Sequence, residues 1–353
     1  MTPRPMTWGE IRHLIDGMTM QSDSLARTAD LPKHPAWREQ IRQAFRDTDT
    51  LLEFLGLPPE SSDMPRFPML VPRAFAQRME KGNREDPLLL QVLPDVREHS
   101  VESGFVADPV GDRQATVGRG LLHKYHGRVL LVSTGACAVH CRYCFRQEFP
   151  YPDNHAGTRQ WHDAVDYIAA TPDVDEVILS GGDPLMLPAA RLQELTDRLS
   201  GIEHLHRLRI HTRLPVVLPD RVDESLVTWL EALPWPVVMV IHANHGREFD
   251  DHVDQALMRL RRAGVHLLNQ AVLLKGINDG FEAQRDLVRR GLDAGVMPYY
   301  LHLLDRVSGA SRYEVQEPEA TRLVERMRRE LSGYLVPRLV REIAGAPYKL
   351  PVL

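Results

Sequence analysis

The sequence runs Val129-Leu-Leu-Val-Ser-Thr-Gly-Ala-Cys137-Ala-Val-His-Cys141-Arg-Tyr-Cys144, from an apolar, strand-like run into the only three cysteines of the chain. Three thiolates this close together after a strand indicate a site for a soft metal centre. An iron–sulfur cluster held by three cysteines keeps one iron open for a further ligand. Zinc with His140 as a fourth ligand is the alternative.

The cysteine stretch opens a regular alternation of strand-like and helix-like segments. This alternation predicts an α/β fold with a parallel sheet. Six strands favour an incomplete (β/α)6 barrel, and a flat doubly wound sheet is the alternative. The predicted strands are 129–133, 176–180, 207–211, 237–242, 266–274 and 299–304, and the predicted helices are 158–170, 188–200, 221–233, 249–263 and 281–294.

Polar or glycine-rich residues follow five of these predicted strands. The chemistry of parallel α/β folds lies at the carboxyl ends of their strands. These segments therefore predict one site at a single edge of the sheet. They are the cysteine loop, Ser180-Gly-Gly-Asp-Pro184, His211-Thr-Arg213, His242-Ala-Asn244 and Lys275-Gly-Ile-Asn-Asp279.

The regions on either side of the alternation read as helices and connections. Helical apolar spacing is present at 8–18, 37–57, 71–79 and 317–332, and three prolines make 61–72 a linker. We divide the chain into an N-terminal helical region with linker, a partial barrel and a C-terminal segment. Their bounds are 1–104, 105–310 and 311–353.

Bulk composition excludes several classes of protein. The 43 basic and 48 acidic residues give a net charge of -5, which argues against nucleic acid as a partner. No apolar run approaches the roughly 18 residues of a membrane span, so we expect no membrane partner. The N-terminal residues have no signal-peptide pattern. Three clustered cysteines predict a reducing, cytoplasmic location rather than a disulfide framework.

Several motifs together resemble the lysine 2,3-aminomutase family of radical S-adenosylmethionine (SAM) enzymes. The resemblance covers residues 105–353 and the stretch Met79-Glu-Lys-Gly-Asn83. It implies the partial barrel of radical SAM enzymes. The other motifs are Leu122-His-Lys-Tyr-His-Gly-Arg-Val129, the cysteine loop through Cys144-Phe-Arg146, Thr212-Arg-Leu-Pro-Val-Val-Leu-Pro219, Asn269-Gln-Ala-Val-Leu-Leu-Lys-Gly-Ile-Asn-Asp279 and Pro298-Tyr-Tyr300.

The resemblance implies a [4Fe–4S] cluster on Cys137, Cys141 and Cys144. SAM would bind its open iron, and one-electron reduction would cleave SAM to a 5′-deoxyadenosyl radical. Other residues would contact SAM, although a strand-to-helix turn and ordinary packing at the barrel rim are alternative roles for them. They are Ser180, Gly181, Gly182, Asp183, His242 and Asn244.

The family also uses pyridoxal 5′-phosphate (PLP) on a lysine near the C-terminus. The matching stretch is Ala344-Gly-Ala-Pro-Tyr-Lys349-Leu-Pro-Val352, so the resemblance makes Lys349 the catalytic Schiff-base lysine. In the family a glycine-rich run precedes this lysine, and here alanine, proline and tyrosine replace some of its glycines. Tyr125 and Arg128 match positions that hold the PLP phosphate. The alternative for Lys349 is an ordinary solvated lysine, and the alternative for Tyr125 and Arg128 is packing at the barrel rim.

The resemblance also implies a way of measuring the substrate. Arg146 matches the arginine that pairs with the substrate carboxylate, and a surface salt bridge is its alternative role. Asp279 and Glu342 match two acids that hold the distant ammonium of lysine. Glu342 is one methylene longer than the family residue.

The implied activity is conversion of L-α-lysine to (R)-β-lysine. The branch that looks most similar acts in modification of elongation factor P, which implies that factor and its lysine ligase as functional partners. We also expect an external electron donor and a homo-oligomer. The alternatives are a catabolic lysine or glutamate 2,3-aminomutase, although Asp279 argues against glutamate, and a non-catalytic iron–sulfur or zinc protein. The branch motifs are Met79-Glu-Lys-Gly-Asn83, Gly120-Leu-Leu-His-Lys-Tyr-His126 and Ser332-Gly-Tyr-Leu-Val-Pro337.

Overall fold

The computed structural model describes residues 37–59, 65–151 and 158–352. These residues belong to one compact unit. The predicted helix over 8–18 lies outside the described residues, and the linker over 61–72 is described only from residue 65. The division of the chain at 104 and 310 stays a prediction.

A ten-stranded sheet organises the described residues, and its strands lie side by side in chain order. From β3 to β9 each strand pairs in parallel with the next. Antiparallel pairs extend the sheet at both ends. The strands are β1 (Thr116–Gly118), β2 (Leu121–Tyr125), β3 (Arg128–Thr134), β4 (Glu176–Gly181), β5 (Arg207–Thr212), β6 (Val237–Ile241), β7 (His266–Val272), β8 (Met297–His302), β9 (Arg338–Arg341) and β10 (Leu350–Pro351).

The six predicted strands are confirmed as β3 to β8. Their bounds shift by one or two residues, and β7 ends at Val272 rather than at 274. Every residue of β4 is buried, as expected for a strand covered on both faces of a parallel sheet. In register, Val129 lies opposite Val177, and Val177 lies opposite Leu208.

The strands at the two ends of the sheet are not predicted by the sequence. They are β1, β2, β9 and β10, of two to five residues each. Among the described residues no pairing joins β1 to β10, so the sheet stays open. This geometry confirms an incomplete barrel.

Helices connect the parallel strands and cover the sheet, and the predicted barrel helices are confirmed. In α8, Val253, Ala256, Leu257 and Leu260 form the buried face, the spacing of an amphipathic helix. In the described part of the chain no helix is both long enough and apolar enough to cross a membrane. The helices are α1 (Trp37–Arg42), α2 (Thr48–Phe54), α3 (Arg73–Ala76), α4 (Thr158–Ala169), α5 (Ala189–Leu199), α6 (Leu214–Val217), α7 (Glu224–Glu231), α8 (Asp251–Arg262), α9 (Phe281–Asp293) and α10 (Glu317–Glu330).

The single helix predicted over 37–57 is wrong, because the structure divides it into α1 and α2. Between them Phe45 exchanges backbone hydrogen bonds with Val71 at 2.9 and 3.0 Å. Asp47 then starts α2 by accepting the Thr50 N–H. The helix predicted over 71–79 shrinks to the four residues of α3, which begins directly after Pro72.

Candidate active site

A cavity of about 390 Å³ lies at the carboxyl edge of the parallel strands. The loops after β3, β5 and β6, the strand β2 and the β9–β10 segment all contribute to its wall. Cys137, Gly182, Asp183 and Asp279 are not part of the wall. The predicted site residues on the wall are Tyr125, Arg128, Cys141, Cys144, Arg146, Ser180, Gly181, His242, Asn244, Glu342 and Lys349.

The three cysteines lie in the loop after β3 as free thiols. Burial, and next the neighbouring Cys144, raise the pKa of the Cys137 thiol well above its usual range. Burial, and next Cys141, raise the pKa of Cys144 to about 11. Thiols with such raised pKa values become thiolates when a cation binds them, and binding then releases their protons. The donor set therefore fits a metal cluster.

The three sulfurs are not placed around a single metal ion. In the described ranges, no group of three or more His, Cys, Asp or Glu side chains is placed to hold one. A cubane presents a separate iron to each cysteine, so its ligands need no common point. His140 Nδ1 hydrogen-bonds the Pro68 carbonyl at 2.9 Å, and its ring packs on Phe67. This geometry gives no support to zinc with His140 as fourth ligand.

The glycine-rich stretch at the end of β4 packs against the cysteine loop. The Gly182 N–H donates to the Thr134 carbonyl and the Asp183 N–H to the Ala136 carbonyl, both at 2.8 Å. A Cβ atom on Gly182 would lie 2.4 Å from the Ala136 oxygen. Only glycine permits this approach, so the stretch fixes the path of the loop that holds the cysteines.

The Asp183 carboxylate is occupied within the fold. It accepts hydrogen bonds from the Thr212 hydroxyl and from the N–H groups of Leu185, Arg213 and Leu214. Burial raises the pKa of Asp183 to about 6 in spite of these donors. Gly182 and Asp183 thus tie the cysteine loop to the loop after β5. Their contacts with SAM stay predictions.

A chain of ion pairs joins the cysteine loop to the C-terminal segment. Arg146 Nε lies 2.6 Å from Asp112 Oδ2, and Asp112 Oδ1 lies 2.6 Å from Lys124 Nζ. Lys124 Nζ lies 2.9 Å from Glu342 Oε1, and the other oxygen of Glu342 pairs with Lys349. The five charges alternate in sign, so each has an opposite neighbour.

The two carboxylates in this series of ion pairs, Asp112 and Glu342, are held in the ionised form. Burial alone would raise the pKa of Glu342, but the ammonium groups of Lys349 and Lys124 hold it well below its usual range. Burial acts on Asp112 in the same sense, and Arg146 and Lys124 together lower its pKa. Neither Asp112 nor Lys124 is predicted from the sequence as a site residue.

Arg146 keeps part of its guanidinium for a ligand. Its Nε is paired with Asp112, and its Nη1 donates to Ser180 Oγ at 3.1 Å. Among the described residues Nη2 has no hydrogen-bond partner. The fork of a guanidinium matches the two oxygens of a carboxylate. Arg146 is therefore placed to bind an anionic group in the cavity.

Lys349 owes its position to the hairpin of β9 and β10. Leu350 lies opposite Arg341 in this pairing, which brings the neighbouring residues Glu342 and Lys349 together. The Arg128 guanidinium carbon lies 4.7 Å from the ring centroid of Tyr125. Within the described ranges Arg128 has no acidic partner. Lys349 and this guanidinium lie on the wall of one cavity, and together they fit PLP, an aldehyde that carries a phosphate.

Comparison with known proteins bears on these cofactors. The model of the Radical SAM superfamily matches residues 131–287. The chain is 46% identical to the L-lysine 2,3-aminomutase of Escherichia coli, over 92% of the chain and 96% of that protein. It is 43% identical to the enzyme of that name from Haemophilus influenzae, over 90% and 98%, and 31% identical to that of Clostridium subterminale, over 90% and 77%.

The chain belongs to the radical SAM lysine 2,3-aminomutase family. It is an isomerase of that family, and membership implies a [4Fe–4S] cluster and SAM as cofactors. Solved structures resemble it distantly. A radical SAM methyltransferase from Sphaerobacter thermophilus has a TM-score of 0.44 and 15% identity, over 63% of this chain and 68% of that one. A likeness of this size carries no argument about activity.

Three imidazoles in the aminomutase cavity lack partners for Nε2. They belong to His211, His242 and His302, and each Nε2 is buried without a hydrogen bond in the described structure. Burial lowers the pKa of His242 to about 3 and that of the other two well below the usual range. The rings are therefore neutral at pH 7 and offer hydrogen bonds to a ligand. His302 was missed from the sequence, and its signal is its place at the end of β8.

Asp305 is a further wall residue, and no motif in the sequence identifies it. Its carboxyl group has no hydrogen bond or ion pair within the described ranges. Burial, and next the charge of Glu342, raise its pKa to about 7. The signal that could have identified Asp305 is a lone acid soon after the last barrel strand, a pattern that loops share widely.

Asp279 lies away from the aminomutase cavity. Its side chain is exposed, and its Oδ1 accepts the Gly276 N–H at 3.0 Å. The structure therefore does not bring Asp279 together with Glu342. Its contact with a substrate ammonium stays a prediction that this geometry does not support.

Asn244 lies in a buried polar network beside the cysteine loop. Its Nδ2 donates to the Tyr143 hydroxyl at 2.6 Å and to Gln91 Oε1 at 3.0 Å, and its Oδ1 accepts the Val272 N–H. The side-chain amide is thus committed within the fold, and its contact with SAM stays a prediction.

Proposed function

We propose that this isomerase is a PLP-dependent L-lysine 2,3-aminomutase that makes (R)-β-lysine. One observation carries the proposal: Lys349, from the end of the chain, shares a cavity with Cys141 and Cys144. The names of the relatives support lysine as the substrate. When bound, the cluster and SAM supply a radical that removes a non-acidic hydrogen, and PLP holds the amino group that moves.

Arg146 orients the carboxylate of the substrate. Its Nε is fixed by Asp112, and the Nη2 group is the part that remains for a ligand. A guanidinium clamped on one side loses less freedom when it binds, so it positions the carboxylate well.

Glu342 supports lysine as the substrate at the other end. Its carboxylate lies on the cavity wall and accepts hydrogen bonds from the ammonium groups of Lys349 and Lys124, and the distal ammonium of lysine is a donor of the same kind. Glutamate would bring a second carboxylate towards this acid, and like charges repel. The acid therefore favours lysine over glutamate.

Arg128 and Tyr125 hold the phosphate in this proposal. Arg209, also on the wall, is already paired with Glu176, whereas Arg128 has no acidic partner among the described residues. A guanidinium and a phenol hydroxyl both donate to phosphate oxygens. Lys349 is then the residue that joins the cofactor.

The proposed role is modification of elongation factor P in the cytoplasm. (R)-β-lysine made here would be attached to that factor by its lysine ligase. An external one-electron donor would reduce the cluster, and the enzyme would act as a homo-oligomer. The resemblance of its motifs to that branch of the family supports this role.

Anaerobic incubation with L-lysine, SAM and dithionite tests the activity. We expect (R)-β-lysine as product, identified by chiral chromatography against both enantiomers. Turnover of glutamate in place of lysine would overturn the substrate, and a protein with no iron and no PLP band would overturn the enzyme.

A coupled reaction tests the pathway separately. The active aminomutase, L-lysine, the ligase and elongation factor P are combined, and the mass of the factor is measured. We expect an added β-lysyl group only when the aminomutase is present. If β-lysine accumulates and the factor stays unmodified, the proposed role in modification of elongation factor P is wrong and the proposed activity stands.

A further inference from the structure

Arg213, in the loop after β5, contacts a cluster cysteine. Its Nη1 donates to Cys141 Sγ at 2.7 Å and to the Tyr143 hydroxyl at 2.8 Å. The side chain is 6% exposed. No other guanidinium among the described residues hydrogen-bonds a cysteine sulfur.

The other side of the guanidinium is held by buried acceptors. Its Nη2 donates to Gln91 Oε1 at 2.6 Å and to Glu248 Oε2 at 3.0 Å. Glu248 is fully buried, and it also accepts the N–H groups of Asn244 and His245. The counter-charge thus lies on the side away from the sulfur, and the cysteine faces the positive end of the pair.

We propose that Arg213 is a positioning residue that sets the reduction potential of the iron–sulfur cluster through its hydrogen bond to Cys141. An external donor would supply the one electron that reduces a bound cluster from [4Fe–4S]²⁺ to [4Fe–4S]⁺. Hydrogen bonds to the sulfurs and nearby charge govern the potential of such clusters. A buried cation stabilises the more negative, reduced form, so Arg213 makes the cluster easier to reduce.

This inference rests on the cluster part of the proposed function and does not depend on the identity of the substrate. The iron content and EPR signal of the wild-type protein test the cluster itself. If the wild type carries no cluster, the proposed function fails. If it carries one and the variants below do not change its potential, only the role of Arg213 fails.

The test is an EPR-monitored redox titration of the reconstituted protein without SAM, with dithionite as the reductant. Arg213→Gln removes the charge and should shift the midpoint potential to a more negative value. Arg213→Lys keeps the charge without the fork and should shift it less. Arg209→Gln is the matched control, because Arg209 is on the same cavity wall and pairs with Glu176. It should leave the midpoint unchanged.

A double variant covers the case in which Arg213→Gln does not retain its cluster. That change leaves Glu248 buried without its cation, which is costly. Arg213→Gln with Glu248→Gln removes both charges. Its midpoint potential should lie between that of the wild type and that of Arg213→Gln. If Arg213→Gln loses its cluster, the expectation is a midpoint potential below that of the wild type. A wild-type midpoint in the neutral variants would overturn the proposal. SAM binding to the same variants is measured separately. Weaker binding with an unchanged midpoint would overturn the proposal too, because Arg213 would then serve the carboxylate of SAM.

Discussion

Glu342 and Asp279 give the clearest contrast between two residues assigned the same task. Glu342 is a wall residue with two ammonium partners, whereas Asp279 is exposed and accepts a backbone N–H. A hydrogen bond to a charged group contributes about 1.5–3 kcal/mol. We therefore expect Glu342→Gln to raise the KM for lysine by roughly tenfold to a hundredfold, and Asp279→Asn to raise it less.

Steady-state kinetics of both variants on L-lysine check this expectation. Asp279→Asn is the matched control, since each change replaces a carboxylate by its amide. An equal or larger rise in KM for Asp279→Asn would contradict the geometry, and would mean that the Asp279 loop reaches the cavity when substrate binds.

His242 makes stability depend on pH. Burial, and next the charge of Arg213, lower its pKa to about 3, whereas an imidazole in an unfolded chain titrates near 6.5. The unfolded state takes up the proton first, so this contribution is complete above pH 6.5 and is lost as pH falls. Between pH 7 and pH 5 the free energy of unfolding of the wild type should fall by up to about 2 kcal/mol more than that of His242→Gln.

Urea unfolding of the cofactor-free proteins at the two pH values measures this difference. Burial raises the pKa values of Asp183 and Asp305, so these two groups stabilise the folded protein more as pH falls. Both are present in each protein, so their effect cancels in the comparison. Equal losses for wild type and variant would show that His242 is protonated in the folded state.

At the scale of elements, the glycine stretch at the end of β4 supports the cysteine loop. Gly182→Ala places a methyl group against the Ala136 carbonyl, and overpacking of this kind costs about 1–3 kcal/mol. We expect lower thermal stability and less iron bound per chain after reconstitution. Gly333→Ala is the control, because its Cβ would meet nothing within 4 Å. Full iron content in Gly182→Ala would show that the loop relaxes without losing its cluster.

The sequence predicts the barrel strands better than the elements around them. The runs that become β3, β4 and β6 are continuous and apolar, and those that become β5 and β7 alternate buried and more exposed residues. Both patterns are local, so the sequence itself reports these strands. The strands β9 and β10 are short, and what defines them is the partner they meet. The break between α1 and α2 follows from the pairing of Phe45 with Val71, a contact between distant segments that helical periodicity does not report.

At the scale of the whole molecule, site residues that belong to local motifs are predictable from the sequence, and those that depend on contacts between distant segments are not. Cys137, Cys141, Cys144 and Lys349 belong to motifs with fixed spacing. Asp112 is one acid in a polar loop, and its importance arises only where the fold brings Arg146 and Lys124 to its two oxygens. The ion-pair chain across the cavity is thus a property of the assembled structure.

The whole molecule builds its two candidate cofactor sites from different elements, and they should load independently. The cysteines belong to the loop after β3, braced by Gly182 and Asp183, whereas Lys349 depends on the hairpin of β9 and β10. We expect Lys349→Ala to lose the PLP absorption band and all β-lysine formation while keeping the iron content of the wild type. Its fold should survive, because Glu342 keeps Lys124 as a partner.

The converse variant, with all three cysteines changed to serine, should bind no iron and keep the PLP band. Visible absorption spectra and iron analysis of both variants, prepared anaerobically, measure the two cofactors side by side. Lys275→Ala, at an exposed lysine outside the cavity wall, should retain both. Loss of both cofactors from either site variant would contradict independent loading. The ion pairs from Arg146 to Lys349 would then couple the two sites strongly enough that each needs the other to form.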